Sequence, residues 1–226
     1  MEYLVEDFND ADTFFSKEGK SSWEELSQIF KSLQLQLQAS DQAGKQDTLI
    51  FDPKGTNAKL TSMASEKGWQ KIPVPLDLQP FGKDWDSGKG SVLAEWQFSN
   101  YPFLWNNIIR TEAIFQSQDQ LPQLTSPTKA LVVVTKSGSI PSSNSTLYFE
   151  QAFAQISTVT KLGVFRVPIR LVGLAVPESA SHVQCALNSY LARYGRETET
   201  SVDTQIEINW GRPGQYGNRS MILRAD

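Results

Sequence analysis

Residues 131–176 read LVVVTKSGSIPSSNSTLYFEQAFAQISTVTKLGVFRVPIRLVGLAV and contain the clearest fold signal in the chain. Residues 131–134 are a continuous apolar run and residues 168–176 are apolar except for Arg170, a composition that is typical of strands buried on both faces of a sheet. Between them, residues 147–162 repeat apolar side chains at helical spacing. A strand, a helix and a second strand in this order predict an α/β fold in which a mixed β-sheet is flanked by helices.

The N-terminal half of the chain shows further elements of both kinds. Apolar spacing predicts helices over 22–33, 57–68 and 102–115 and strands over 48–51 and 91–98. Ser22 and Glu25 form a capping-box pattern for the first helix, and Asn57 is the expected cap of the second. Leucines and glutamines alternate over 33–37, which fits either a strand or a continued helix.

The C-terminal region is less regular. Residues 181–196 fit either a helix or a long surface loop, whereas residues 202–210 alternate like an exposed strand. No internal repeat or flexible linker divides the sequence. We therefore expect one domain over 1–226, with a core over 1–176 that includes the N-terminal helix and a smaller, mainly β elaboration over 177–226.

Composition excludes several classes of protein. No apolar run approaches the roughly 20 residues of a membrane span, and the N-terminus is acidic, unlike a signal peptide, so we expect a cytoplasmic protein without a membrane partner. Cys185 is the single cysteine and His182 the single histidine, which excludes an internal disulfide and a His/Cys zinc cage. Glycine-rich phosphate loops are absent, which argues against an ATP or NAD enzyme.

The net charge of −4 does not exclude nucleic acid as a partner. Residues 1–25 hold eight acidic residues against Lys17 and Lys20, so the rest of the chain carries a slight positive charge. Carboxylates that bind a metal ion also count as negative in this sum, although the bound ion would offset them. Charge therefore leaves the question of a DNA partner open.

The segment KDWDSGKGSVLAEWQ, residues 83–97, is the strongest candidate for chemistry. Alternation predicts two faces for its strand, with Val92, Ala94, Trp96 and Phe98 on one and Leu93, Glu95 and Gln97 on the other. Hydrolysis of a phosphodiester by Mg²⁺ needs carboxylate ligands and a positioned water. Asp86, Glu95 and the Trp96 carbonyl can supply ligands, and Gln97 can orient the water or the phosphate. By spacing alone, a solvated strand face or an ion pair with Lys83 or Lys89 is the more ordinary explanation.

Four segments resemble the corresponding stretches of the BglII-type restriction endonucleases. They lie in the same order at similar spacing: QASDQAGKQDTLIFDPKGTN (38–57), EWQFSNYPFLWNNIIRTE (95–112), SSNSTLYFEQA (142–152) and FRVPIRLVGL (165–174). With the acidic segment, the similarity spans residues 38–175. Such long and idiosyncratic matches are specific.

The resemblance implies a type II restriction endonuclease with a PD-(D/E)xK nuclease core, assembled as a homodimer that encircles double-stranded DNA in the bacterial cytoplasm. It places the metal-binding carboxylates at Asp86 and Glu95, and it places Gln97 where most such nucleases carry lysine, which is itself a feature of the BglII type. An asparagine of the family falls near Lys71, to which we assign no role. A GATC-centred palindrome such as AGATCT is the first guess for the cleaved site.

The resemblance also suggests which residues read DNA. The candidates are Ser99, Asn100, Asn144, Ser145 and, in the RYGR segment of the C-terminal elaboration, Arg193, Tyr194 and Arg196. Asn, Ser and Arg side chains can hydrogen-bond to base edges in the major groove. Residues 143–146 would also serve as the cap of the following helix. Asn106 and Asn107 are expected on the polar face of their helix.

Basic residues form an open set of candidates for phosphate contacts, namely Lys45, Lys54, Arg110, Lys136, Arg193, Arg196, Arg212 and Arg219. Two other functions remain as alternatives. One is a nuclease of related fold that does not read a base sequence, and the other is a catalytically silent DNA-binding protein. The intact Asp86, Glu95 and Gln97 argue against the silent protein.

Overall fold

A computed structural model describes residues 1–42, 48–192, 197–214 and 216–224. The strands are β1 Glu2–Phe8, β2 Leu35–Ala39, β3 Leu49–Phe51, β4 Gln70–Pro73, β5 Asp84–Lys89, β6 Val92–Trp96, β7 Ala130–Lys136, β8 Ile169–Ala175, β9 His182–Tyr190, β10 Thr198–Glu207, β11 Asn209–Pro213 and β12 Arg219–Ile222. The helices are α1 Ala11–Ser16, α2 Lys20–Ser32, α3 Pro53–Glu66, α4 Pro102–Ser117 and α5 Phe149–Lys161, with a 3₁₀ helix at Leu76–Phe81.

The central sheet has six strands in the order β1-β8-β7-β6-β5-β4. The pairs β6–β7 and β7–β8 are parallel, whereas β1–β8, β4–β5 and β5–β6 are antiparallel. Every residue of β7 and β8 is buried, as expected for strands covered on both faces. The predicted α/β fold with a mixed sheet is confirmed.

Apolar clusters pack on both faces of this sheet, as the alternation along β6 predicts. Val92, Ala94 and Trp96 belong to the cluster that includes residues of α2 and α3. Leu93 belongs to the opposite cluster, which includes residues of α4 and α5. The strand therefore ends between the two layers, and the residues at its end are held by packing from both sides.

A second sheet of order β10-β9-β2-β3 lies beside the first. Residues 35–39 are a strand, which settles the ambiguity between a strand and a continued helix. The helix or loop predicted over 181–196 is wrong, because His182–Tyr190 forms β9 and pairs in parallel with β2. The segment is a strand because it pairs with the neighbouring β10 and with the distant β2, and local spacing does not show the second of these partners.

Two predicted helix caps are also wrong. The α2 helix begins at Lys20 with Gly19 as its N-cap, so Ser22 lies inside it. The α3 helix begins at Pro53 and is capped by the Asp52 side chain, which accepts a hydrogen bond of 3.0 Å from the Lys54 N–H. Proline at the first helical position fits this start, because its missing N–H would have no partner there.

The β1 strand was not predicted from the sequence. Its residues alternate between exposed and partly buried, and the acidic side chains on it obscure the pattern. It is secured by pairing with β8 and by Asp7, which accepts two hydrogen bonds of 2.7 Å from Arg170 on that strand. Among the described residues, no helix combines the length and apolar character that crossing a bilayer requires.

Candidate active site

The two predicted metal ligands lie side by side where β5 and β6 separate. The register pairs Ser87 with Ala94, which brings the preceding Asp86 opposite the following Glu95. Asp86 turns towards β6, and its Oδ2 accepts a hydrogen bond of 2.8 Å from the Trp96 N–H. An antiparallel hairpin therefore brings together two acids that are nine residues apart in the sequence.

Burial makes this pair of carboxylates electrostatically unusual. Desolvation raises the pKa of Asp86, against the hydrogen bond from Trp96. Burial also raises the pKa of Glu95 well above its usual range, and the neighbouring Asp86 charge acts in the same direction. Two desolvated acids in contact favour either a shared proton or a bound cation. Perturbed acids of this kind cluster at functional sites.

Arg110 on α4 fixes the position of the Glu95 carboxylate. Its guanidinium donates to a Glu95 carboxylate oxygen and to the Asp84 carbonyl at 2.8 Å, and only 3% of the residue is exposed. Gly82, at φ +132°, permits this approach, because a Cβ there would lie 2.0 Å from the Arg110 Nη1. The sequence-based candidacy of Arg110 as a phosphate contact is wrong, since the side chain is buried against Glu95.

Gln97 is buried in a second set of hydrogen bonds. Its Nε2 donates to the Ser99 hydroxyl at 3.1 Å and to the Asn100 carbonyl at 3.3 Å. Its Oε1 accepts from Asn107 Nδ2 at 2.8 Å. The prediction that Asn107 lies on a polar helix face is wrong, because the residue is 7% exposed and points to Gln97.

The donor set at the end of β6 fits a hard divalent cation. Asp86 and Glu95 offer carboxylate oxygens, and the Trp96 carbonyl, which accepts one hydrogen bond of 3.2 Å from Phe98, keeps a second lone pair. Within the described residues, no cluster of three or more His, Cys, Asp and Glu side chains provides an alternative. Mg²⁺ commonly uses one or two carboxylates and completes its shell with water and substrate phosphate.

A groove of about 430 Å³ opens beside Asp86 and Trp96. Lys54 and Lys71 also line it, so two cations face a site that would receive a phosphate. Lys71 forms an ion pair of 2.8 Å with Asp84 at the rim. The groove therefore combines one anionic ligand, Asp86, with the positive charge of two lysines.

Comparison with known proteins identifies the family. The family model described as restriction endonuclease BglII/BglIII matches residues 3–174. The chain belongs to the BglII family of restriction endonucleases. It is 37% identical over 205 residues to the type II restriction enzyme BglII of Bacillus subtilis, covering 90% of this chain and 89% of the relative.

Solved structures agree with this assignment. The crystal structure of BglII complexed with a DNA 16-mer matches with a TM-score of 0.88 and 33% identity, over 100% of both chains. Free BglII matches with a TM-score of 0.71 and 29% identity, over 98% of this chain and 100% of that one. The protein is therefore a type II restriction endonuclease, a hydrolase of the BglII family.

The endonuclease brings several candidate DNA-reading residues to one surface. Asn100, Asn144 and Ser145 are exposed and line one shallow cavity, and the exposed Ser99 lines the active-site groove. The Ser99 carbonyl accepts a hydrogen bond of 3.1 Å from the Leu147 N–H, which joins the two loops. Arg193, Tyr194 and Arg196 lie outside the described residues.

The alternative role of residues 143–146 as a helix cap is wrong. The α5 helix begins at Phe149 with Tyr148 as its N-cap, and no side chain caps it. Ser143 instead forms a hydrogen bond of 2.8 Å with Thr146, which leaves the intervening residues in the exposed turn between them. Such a polar turn is available for contacts with a partner.

The other basic candidates divide by burial. Lys136 is 1% exposed and donates to the carbonyls of Ser137 and Ile140, so its candidacy as a phosphate contact is wrong. Burial lowers the pKa of Lys136 to about 8. Arg212 is exposed and Arg219 is half-buried, with its guanidinium donating to two backbone carbonyls. Lys45, Arg193 and Arg196 lie outside the described residues.

Sequence reasoning missed the roles of Asn107 and Arg110 in the site. A signal was present for Asn107, because it follows Leu104 by three residues and precedes Thr111 by four, on the stripe that α4 buries. A polar residue on a buried stripe must find a hydrogen-bond partner. Arg110 lies on the same stripe, three residues after Asn107 and four before Ile114, so spacing indicated its burial too, although it could not identify Glu95 as the partner.

Proposed function

We propose that this endonuclease hydrolyses both strands of duplex DNA at a short palindrome, as a homodimer that uses Mg²⁺. The contact between the half-buried Asp86 and the buried Glu95 carries the catalytic part, because Arg110 pairs with Glu95 and the second negative charge is costly unless a further cation neutralises it. Similarity to a relative crystallised with a DNA 16-mer supports duplex DNA as the substrate. The family of that relative also favours the bacterial cytoplasm as the location.

In this proposal Asp86, Glu95 and the Trp96 carbonyl hold the metal ion at the end of β6. When bound, the ion polarises the scissile phosphate and lowers the pKa of a water for in-line attack. Arg110 keeps the Glu95 carboxylate directed into the site. Gln97, a neutral amide, holds the Ser99–Asn100 loop beside the reacting groups through its hydrogen bonds and does not act as a general base.

Ser99, Asn100, Asn144 and Ser145 are proposed to read bases, together with Arg193, Tyr194 and Arg196. The first four lie on two hydrogen-bonded loops next to the catalytic groove, so a base contact and the scissile phosphate would be held by one rigid unit. A GATC-centred palindrome such as AGATCT is the first site to test. The proposed domain is single, because β9 of the elaboration over 177–226 pairs with β2 of the core over 1–176.

A homodimer is supported by an apolar surface on the α4–α5 side. Tyr101 and Phe103 are about half exposed, and Phe153 is 38% exposed. Trp105 and Tyr101 line a shallow depression against α5. A second copy of the chain would cover this surface, and its two-fold axis would match the symmetry of a palindrome.

Digestion of a fully sequenced phage DNA tests the proposal. The purified protein is incubated with Mg²⁺ or EDTA, beside Asp86→Ala, and the fragment ends are sequenced. We expect discrete ends that share one palindrome, in Mg²⁺ and with the unaltered protein alone. Intact DNA, or random nicks that Asp86→Ala leaves unchanged, would refute the proposal, whereas specific nicks lost in Asn144→Ala would assign a reading role to that loop.

A further inference from the structure

The hydrogen bonds around Gln97 fix which way its amide points. The Asn100 carbonyl can only accept a hydrogen bond, so the group that faces it at 3.3 Å must be the Gln97 Nε2. The Oε1 therefore lies on the opposite side, towards α4. Asn107 must then donate its Nδ2 hydrogen to the Gln97 Oε1, and these two atoms lie 2.8 Å apart.

Burial raises the free-energy cost of turning the Gln97 amide over. Gln97 is 3% exposed and Asn107 is 7% exposed, so water cannot replace a lost partner at low cost. If the Gln97 amide turned over, Oε1 would face the Asn100 carbonyl and Nε2 would face the Asn107 donor. Both contacts would then be between like groups, which disfavours the turned state.

Asn107 is itself held firmly in place. The backbone carbonyl of Asn107 accepts a hydrogen bond of 2.7 Å from the Thr111 hydroxyl, one turn later on α4. The Thr111 hydroxyl in turn accepts a hydrogen bond of 2.9 Å from the indole Nε1 of Trp85. Trp85 precedes Asp86 on β5. The helix turn that presents the Asn107 amide is thus tied to the strand that carries Asp86.

We propose that Asn107 is a positioning residue that orients the Gln97 amide and thereby couples the Ser99–Asn100 loop to the catalytic end of β6. The inference rests on the proposed function, because Gln97 and the loop have their roles only there. With its carbonyl directed to Asn107, Gln97 presents N–H donors towards the loop. A correctly placed loop and a correctly placed scissile phosphate then depend on one buried amide.

Asn107→Asp is the direct test, since it preserves shape and removes the donor. An acceptor then faces Gln97 in either amide orientation. We expect the single-turnover cleavage rate in Mg²⁺ to fall about ten- to a hundredfold, the cost of one mismatched buried hydrogen bond. Affinity for a duplex without the palindrome, measured with Ca²⁺ in place of Mg²⁺, should stay within about threefold, because the lost contact acts on the base-reading loop and not on phosphate contacts in general.

A double-mutant cycle separates positioning from general damage. In a Gln97→Ala background, Asn107→Asp should cause no further loss of rate, because its effect passes through Gln97. Asn106→Asp, the same change on the half-buried neighbour, should cleave at the normal rate. If Asn107→Asp fails to fold by its thermal unfolding curve, Asn107→Ser, whose hydroxyl is too short to reach Gln97, takes its place in the cycle.

The two proposals fail in different ways. If the unaltered protein leaves DNA intact, or Asp86→Ala cleaves normally, the proposed function is wrong. If the unaltered protein cleaves specifically and Asp86→Ala does not, a normal rate in Asn107→Asp overturns the positioning role alone. Equal losses with and without Gln97 would also overturn it, because Asn107 would then act on stability and not on the amide.

Discussion

Two acidic sites in this endonuclease differ in how their charges are satisfied. Asp52 is fully buried, and its carboxylate accepts from the Lys54 N–H at 3.0 Å, Asn188 Nδ2 at 2.8 Å and the Tyr190 hydroxyl at 2.5 Å. Asp86 instead lies against a second acid, Glu95, and burial raises the pKa of both. A carboxylate surrounded by donors stabilises a fold, whereas two adjacent acids that share one cation, Arg110, keep an excess negative charge that a bound metal ion would offset.

The Asp52 site joins distant parts of the fold. Asn188 and Tyr190 lie on β9, Asp52 caps α3, and Asn188 also donates to Gln36 on β2 at 3.1 Å. Burial and the hydrogen bond to Asp52 raise the pKa of Tyr190, so its hydroxyl stays a donor. The Asp52 site therefore holds β2 and β9 of the second sheet to α3, whereas the Asp86 site is the one that reacts.

Asp86→Asn should have the largest effect and should separate activity from stability. We expect cleavage to fall about a thousandfold, because several kcal/mol of transition-state stabilisation depend on the metal ligand. The raised folded-state pKa means that ionised Asp86 destabilises the metal-free fold, increasingly as pH rises above the usual carboxyl range. The variant should therefore unfold at higher temperature than the parent in EDTA at neutral pH, and the difference should shrink in acid.

Thermal unfolding across pH and a cleavage assay measure both parts. Asp119→Asn, an exposed position beyond α4, is the control for the charge change. Near-normal cleavage by Asp86→Asn, or a loss of metal-free stability, would place Asp86 in the same structural class as Asp52.

Asp52→Ala should reverse this pattern. The change leaves the Asn188 and Tyr190 donors unpaired and removes the cap of α3, so the free energy of unfolding should fall by about 2–4 kcal/mol. Urea denaturation gives the value, with Asp119→Ala as the exposed control. If stability held and only catalysis failed, the division between a structural and a reactive acid would be wrong.

Lys54→Ala should have the smallest effect on the protein. Lys54 lies between the Asp52 site and the Asp86 site. The Lys54 ammonium lies 4.1 Å from the Tyr190 ring centroid and faces the catalytic groove. We expect DNA affinity to weaken about equally for specific and random duplexes, and the slope of log affinity against log salt to fall by about one. Lys59→Ala, exposed on the same helix, serves as the reference.

A salt titration of binding by fluorescence anisotropy measures that slope. An unchanged slope with lowered stability would assign Lys54 to the Asp52 site and its Tyr190 contact. A loss confined to one base sequence would instead make Lys54 a reader of bases.

Prediction from sequence succeeded where the pattern was local. The runs at 131–134 and 168–176 became β7 and β8, and the alternation along β6 placed Glu95 and Gln97 on one face, because side-chain direction in a strand follows a period of two. It failed for β9, which pairs with β10 and also with β2 about 150 residues earlier, and for the helix caps, where Asp52 and not Asn57 caps α3. The first residue of a helix depends on which polar side chain accepts hydrogen bonds from the free N–H groups at the helix N-terminus. The spacing of apolar residues does not show which side chain does so.

For the candidate site, the sequence by itself determined the chemistry available. The sequence alone showed carboxylates at Asp86 and Glu95, an amide at Gln97 and the resemblance to the BglII type. Only the tertiary structure decided that the two acids touch, that Arg110 holds one of them, and that Asn107 orients Gln97. These contacts join strands to a helix that follows them in the chain, and their strength comes from burial, which is a property of the packed fold and not of any one segment.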